Sequence, residues 1–100
     1  MANVIDRKFQ ILAVNPCKQG CVYTDKDGMF FAAKDKALPA ALHAYRKECV
    51  ALGCGKEHIE SVDLLIKRVD TYQKTNSKVP DTETNCEIDR CVGGIGIEND

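Results

Sequence analysis

Leu38-Pro39-Ala40-Ala41-Leu42-His43-Ala44-Tyr45-Arg46-Lys47-Glu48-Cys49-Val50-Ala51-Leu52-Gly53-Cys54-Gly55-Lys56 is the stretch on which the fold turns. Leu38, Leu42, Tyr45, Cys49 and Leu52 recur in steps of four, three, four and three, which is one stripe of an α-helix. Asp35 is placed to cap its start. Pro39 is tolerated in the first turn, where no helical hydrogen bond is lost. Gly53 falls just past Leu52, where a helix stop favours a residue with positive φ. A second stripe follows at Ile59, Val62, Leu65, Ile66, Val69 and Tyr72, with Glu60, Asp63, Lys67, Asp70 and Lys74 opposite it. The four-residue link over residues 53–56 makes the two an antiparallel αα-hairpin.

Upstream the period shortens. Residues 9–14 are apolar and partly alternating, and they stop at Asn15-Pro16, so they read as a strand closed by a turn. Residues 21–24 read as a second strand and residues 29–33 as a third. Asp27-Gly28 between them is a hairpin signal, because Gly takes positive φ readily. The expected fold is therefore α+β: a three-stranded antiparallel meander covered on one face by the helical hairpin, in a single domain over residues 1–81. Such a small sheet has edges that a dimer or larger homo-oligomer would cover. Residues 82–100 form an acidic, glycine-containing tail, expected to be disordered or loosely docked. Val92, Ile95 and Ile97 offer the alternative of a short strand.

Charge is uneven. Residues 1–78 carry 13 Lys and Arg against 9 Asp and Glu, and the remaining residues carry Arg90 against six acidic groups. That mild excess suits a small anionic ligand and is far too weak for duplex nucleic acid. No run of apolar residues is long enough to span a membrane, and the polar first ten residues lack the apolar core of a signal peptide. The cytoplasm is the expected compartment, where thiols stay reduced.

The 6 cysteines fall in close pairs: Cys17 with Cys21, Cys49 with Cys54, and Cys86 with Cys91. Reduced thiols, disulfides and a metal site all stay open. Cys17, Cys21, Cys86 and Cys91 are weak candidates for four zinc ligands, since their spacing is wider than a two-residue knuckle. Cys49 reads as a small core residue and Cys54 as an unligated thiol. His43 and His58 read as surface residues on separate helices, with no spacing that brings either to a cysteine. No catalytic motif is present, so a non-enzymatic protein without a cofactor is expected.

A basic site is the best candidate for function. Lys34 and Lys36 flank the expected cap of the first helix, and helix starts attract phosphate. Arg46 lies further along that helix and Lys18 in the turn after Asn15. In this reading Lys18, Lys34, Lys36 and Arg46 hold phosphate, Tyr23 or Phe31 stacks a base, and Asn15 hydrogen-bonds a ribose or base edge. The alternative is that the lysines are solvated and the aromatics fill a core or a dimer seam.

Asn15-Pro16-Cys17-Lys18-Gln19-Gly20-Cys21-Val22-Tyr23, Ala33-Lys34-Asp35-Lys36-Ala37-Leu38-Pro39 and Ser61-Val62-Asp63-Leu64-Leu65-Ile66-Lys67-Arg68-Val69 together resemble short accessory proteins of tailed phages and prophages. The resemblance covers roughly residues 9–81 and carries over no catalytic residue; the abundant cysteines depart from it. It implies action on host defence, in the host cytoplasm. The expected role is a sponge that sequesters a phosphorylated, nucleotide-derived signal. One alternative is an inhibitor that binds a host defence protein through the acidic tail or the acidic face of the second helix. Another is a zinc-stabilised structural module.

Overall fold

The structure, a computed structural model, describes residues 4–82. The expectations for residues 83–100, including the fate of the tail and the placement of Cys86 and Cys91, lie outside them. The class is α+β: strands β1 (Leu12–Val14) and β2 (Val22–Thr24), then helices α1 (Leu38–Ala51) and α2 (Lys56–Gln73). The chain divides into two compact units. One is Phe31–Pro80, and the described part of the other is residues 4–30 with 81 and 82. No helix among the described residues is long and apolar enough to cross a membrane.

In the first unit β1 and β2 pair antiparallel, with Leu12 opposite Thr24, Ala13 opposite Tyr23 and Val14 opposite Val22. The connecting turn is closed by hydrogen bonds from Asn15 N–H to Cys21 O (3.0 Å), Lys18 N–H to Asn15 O and Cys21 N–H to Lys18 O. The Asn15 side chain accepts from Cys17 N–H at 2.9 Å, the local bond that makes Asn a turn residue. Gly20, at φ +80°, supplies the left-handed step.

The expected third strand does not form. Its hairpin needed positive φ at the Asp-Gly turn, and Gly28 does not have it. Instead Thr24 O accepts from both Asp27 N–H and Gly28 N–H, and the Asp27 carboxylate turns back to accept from Thr24 N–H at 2.8 Å. The backbone that would have continued the ladder is captured elsewhere. Buried Asp6 accepts from Phe30 N–H at 2.7 Å with Oδ2, and from Lys8 and Phe9 N–H with Oδ1. Phe30 then packs edge-on against Phe9, with ring centroids 5.0 Å apart.

The second unit is the helical hairpin. Its core is small: Cys49 from α1 and Val62, Ile66 and Val69 from α2 are the buried apolar residues. Leu38, Leu42 and Ile59 are half-buried beside them. The remaining stripe members, Tyr45, Leu52, Leu65 and Tyr72, are exposed. The start of α1 is also displaced from expectation. Ala37, not Asp35, is the capping residue, and Asp35 acts two residues earlier, its carboxylate accepting from Ala37 N–H at 2.8 Å.

The open end of the hairpin is tied shut. Asp35 bridges Lys78 in parallel, with Lys36 N–H donating to Lys78 O (3.0 Å) and Lys78 N–H to Lys34 O (2.8 Å). Gln73 adds side-chain bonds to Ala33 O and Asp35 O. At the closed end, Gly53 at φ +76° donates to Val50 O, and Cys54 N–H donates to Cys49 O at 3.0 Å. This pair of bonds is a Schellman stop, and it satisfies two carbonyls the helix would otherwise leave open.

Candidate functional site

The expected anion site divides between the two units. Asn15, Lys18 and Tyr23 belong to the first, and Phe31, Lys34, Lys36 and Arg46 to the second. Asn15 uses its side-chain oxygen to build its own turn. The Tyr23 hydroxyl is held above its ordinary titration range, chiefly by its hydrogen bond with Cys21 two residues back. Phe31 is exposed.

Arg46 is committed to a different task. Its Nε donates to Asp63 Oδ1, and its Nη2 donates to Oδ2 at 3.2 Å, a two-pronged ion pair across the helical hairpin. The Asp63 carboxyl is held below its usual range by the hydrogen bond from Arg46, and Arg46 is held on its cation by the same bond. A phosphate would have to compete with a carboxylate already in fork geometry.

Lys34 and Lys36 are better placed. Both are exposed, one on each side of Asp35, on the segment that the Lys78 bridge pins. The residues on either side of Asp35 lie in turns, with Asp35 N–H donating to Ala32 O and Leu38 N–H to Asp35 O, both at 3.0 Å. The helix start itself contributes less than expected. Pro39 has no N–H, Leu38 N–H donates to Asp35 O and Ala41 N–H to Ala37 O.

A second grouping lies at the opposite end of the hairpin, and it corrects the expectation that neither histidine meets a cysteine. The ligand-capable atoms of Cys49, Cys54 and His58 all lie within 4.8 Å of one another. The cause is local. A Schellman stop brings the residue after its glycine back against the third residue from the helix end, and here those residues are Cys54 and Cys49. Gly55 then caps α2, receiving bonds from His58 and Ile59 N–H, so the first turn of α2 carries His58 to the same corner.

The corner grades from dry to wet: Cys49 is buried, Cys54 half-buried and His58 exposed. The Tyr45 hydroxyl lies 3.3 Å from His58 Nε2, and the two rings meet edge-on. Desolvation, then a hydrogen bond with Cys49, pushes the Cys54 thiol above its ordinary range. The Tyr45 hydroxyl is raised too, first by its hydrogen bond with Cys49. A nucleophilic cysteine needs the opposite environment, one that lowers its pKa. Cys54 is therefore not set up as an activated nucleophile.

Cys17 and Cys21 sit in the β1–β2 turn, exposed and half-buried, with their thiols unbridged. No protein-family model, no curated protein and no solved structure matches the chain.

Proposed function

We propose that this chain is a small, non-enzymatic binding protein that takes up a phosphate-bearing, nucleotide-like small molecule through the exposed segment carrying Lys34 and Lys36. The observation that supports it is the backbone bridge to Lys78, which pins the short segment on which those two exposed cations stand. Arg46 drops out of the reading, because Asp63 engages it. Sequestration of a host defence signal is the biological setting that the resemblance to phage accessory proteins suggests. A second subunit completes the pocket, since one chain of 100 residues has little room to enclose a ligand.

The experiment is a thermal-shift screen against cyclic nucleotides and ADP-ribose derivatives. A ligand at about 100 times its dissociation constant stabilises by roughly 2.7 kcal/mol. The shift should vanish in the Lys34→Ala/Lys36→Ala double variant and persist in Lys78→Ala, since the bridge to residue 78 is made by backbone atoms. Equal loss in both variants would point to general charge screening and overturn the site.

A different reading, docking to a protein, is favoured by the exposed apolar residues of the helical hairpin, Leu65 and Tyr72 among them. A flat ligand screen together with specific capture of a host effector would select it.

A further inference from the structure

The Cys49–Cys54–His58 corner plays no part in phosphate binding, and its chemistry points to another ligand. Two sulfurs and an imidazole are the donors preferred by zinc and by monovalent copper, whereas magnesium and calcium require oxygen. We propose that Cys49, Cys54 and His58 bind one thiophilic cation of the zinc type at the corner between α1 and α2, leaving one coordination position open.

The distances are close to those needed. Zinc bonds of about 2.3 Å to sulfur and 2.0–2.1 Å to nitrogen put tetrahedral ligands roughly 3.5–3.8 Å apart. The three donor atoms lie within 4.8 Å of one another, so no pair must close by more than about 1.3 Å. Cys54 stands between Gly53 and Gly55, where the backbone can make that adjustment most easily. A cysteine binds metal as the thiolate, so loading releases protons to solvent. Tyr45, against the His58 ring, is a positioning residue that orients the imidazole from outside the ligand set. Three protein donors and an open position are the pattern of exchangeable or reactive zinc rather than of a closed structural site.

The test uses the reduced full-length chain titrated with cobalt(II), whose thiolate ligation produces charge-transfer absorption, followed by displacement with zinc. One equivalent should bind. Cys54→Ser and His58→Gln change a loop residue and an exposed residue, so the core around Cys49 is preserved and circular dichroism should be unaltered. Each should weaken binding by more than the roughly tenfold that loss of an outer partner costs. Tyr45→Phe should cost about tenfold and shift the cobalt spectrum. Cys17→Ser with Cys21→Ser should leave the titration unchanged.

Three results would overturn the site. One is absence of thiolate absorption in the wild-type chain. Another is absorption that survives both Cys54→Ser and His58→Gln. The last is dependence on Cys17 and Cys21. A Cys49–Cys54 disulfide that forms regardless of His58 and excludes cobalt would likewise replace it.

Discussion

At the scale of single residues, Gly53 has the clearest role. It sits at φ +76° and nothing lies within 4 Å of where a side chain would begin, so a substitution there meets conformational strain and no collision. Gly53→Ala is expected to destabilise the metal-free chain by about 1–2 kcal/mol, the cost of a left-handed L-residue. Urea denaturation measures it, and an unchanged midpoint would mean the stop rearranges. This residue was legible in the sequence because helix ends and glycine share one steric cause. Its consequence for Cys54 was not, since spacing alone does not say that the chain doubles back. The usable signal was Cys-x4-Cys-x3-His placed across a glycine helix stop. Asp6 left no such signal: a carboxylate that binds a backbone N–H 24 residues away is defined only by the fold.

At the scale of elements, both helices could be read because each carries a run of apolar residues at the helical period. The third strand was misread because alternation records only which side chains could share a face. It cannot record that Asp6 takes the Phe30 N–H or that Asp27 folds back on Thr24. The pairing of Arg46 with Asp63 was not legible for a related reason, as the partner sits on the other helix.

The Arg46–Asp63 pair ties α1 to α2 at the surface, where solvent weakens it. Asp63 titrates below its unfolded value, so the pair's contribution is present above about pH 4 and fades as pH falls through the lower, folded value. Thermal melts of wild type and Asp63→Asn should therefore differ slightly at neutral pH and converge in acid. The neutral-pH difference should also shrink with added salt. A gap that widened in acid would contradict the pairing.

At the scale of the molecule, the helical unit buries few apolar side chains for its length. Leu65 and Tyr72 lie seven residues apart on one stripe of α2 and remain 47% and 48% exposed. Burying such side chains is worth roughly 1.5–3 kcal/mol apiece, enough to drive association when two copies meet. Native mass spectrometry and sedimentation should show a dimer or higher species that grows with concentration. Leu65→Glu with Tyr72→Glu should return it to monomer. A wild-type chain that stays monomeric at high concentration would remove self-association from the functional reading and leave these side chains to a different partner.

The Schellman stop also bears on the order in which the chain acquires its structure. From Cys49 to His58 spans only ten residues, whereas the bridge that closes the other end of the hairpin joins residues 35 and 78. A loop of about ten residues closes in roughly 10–100 ns, and a longer closure costs more entropy before any contact repays it. The corner is thus positioned to form early and the bridge late. Changes at Gly53 should act mainly on the rate of refolding, and changes at the bridge mainly on the rate of unfolding.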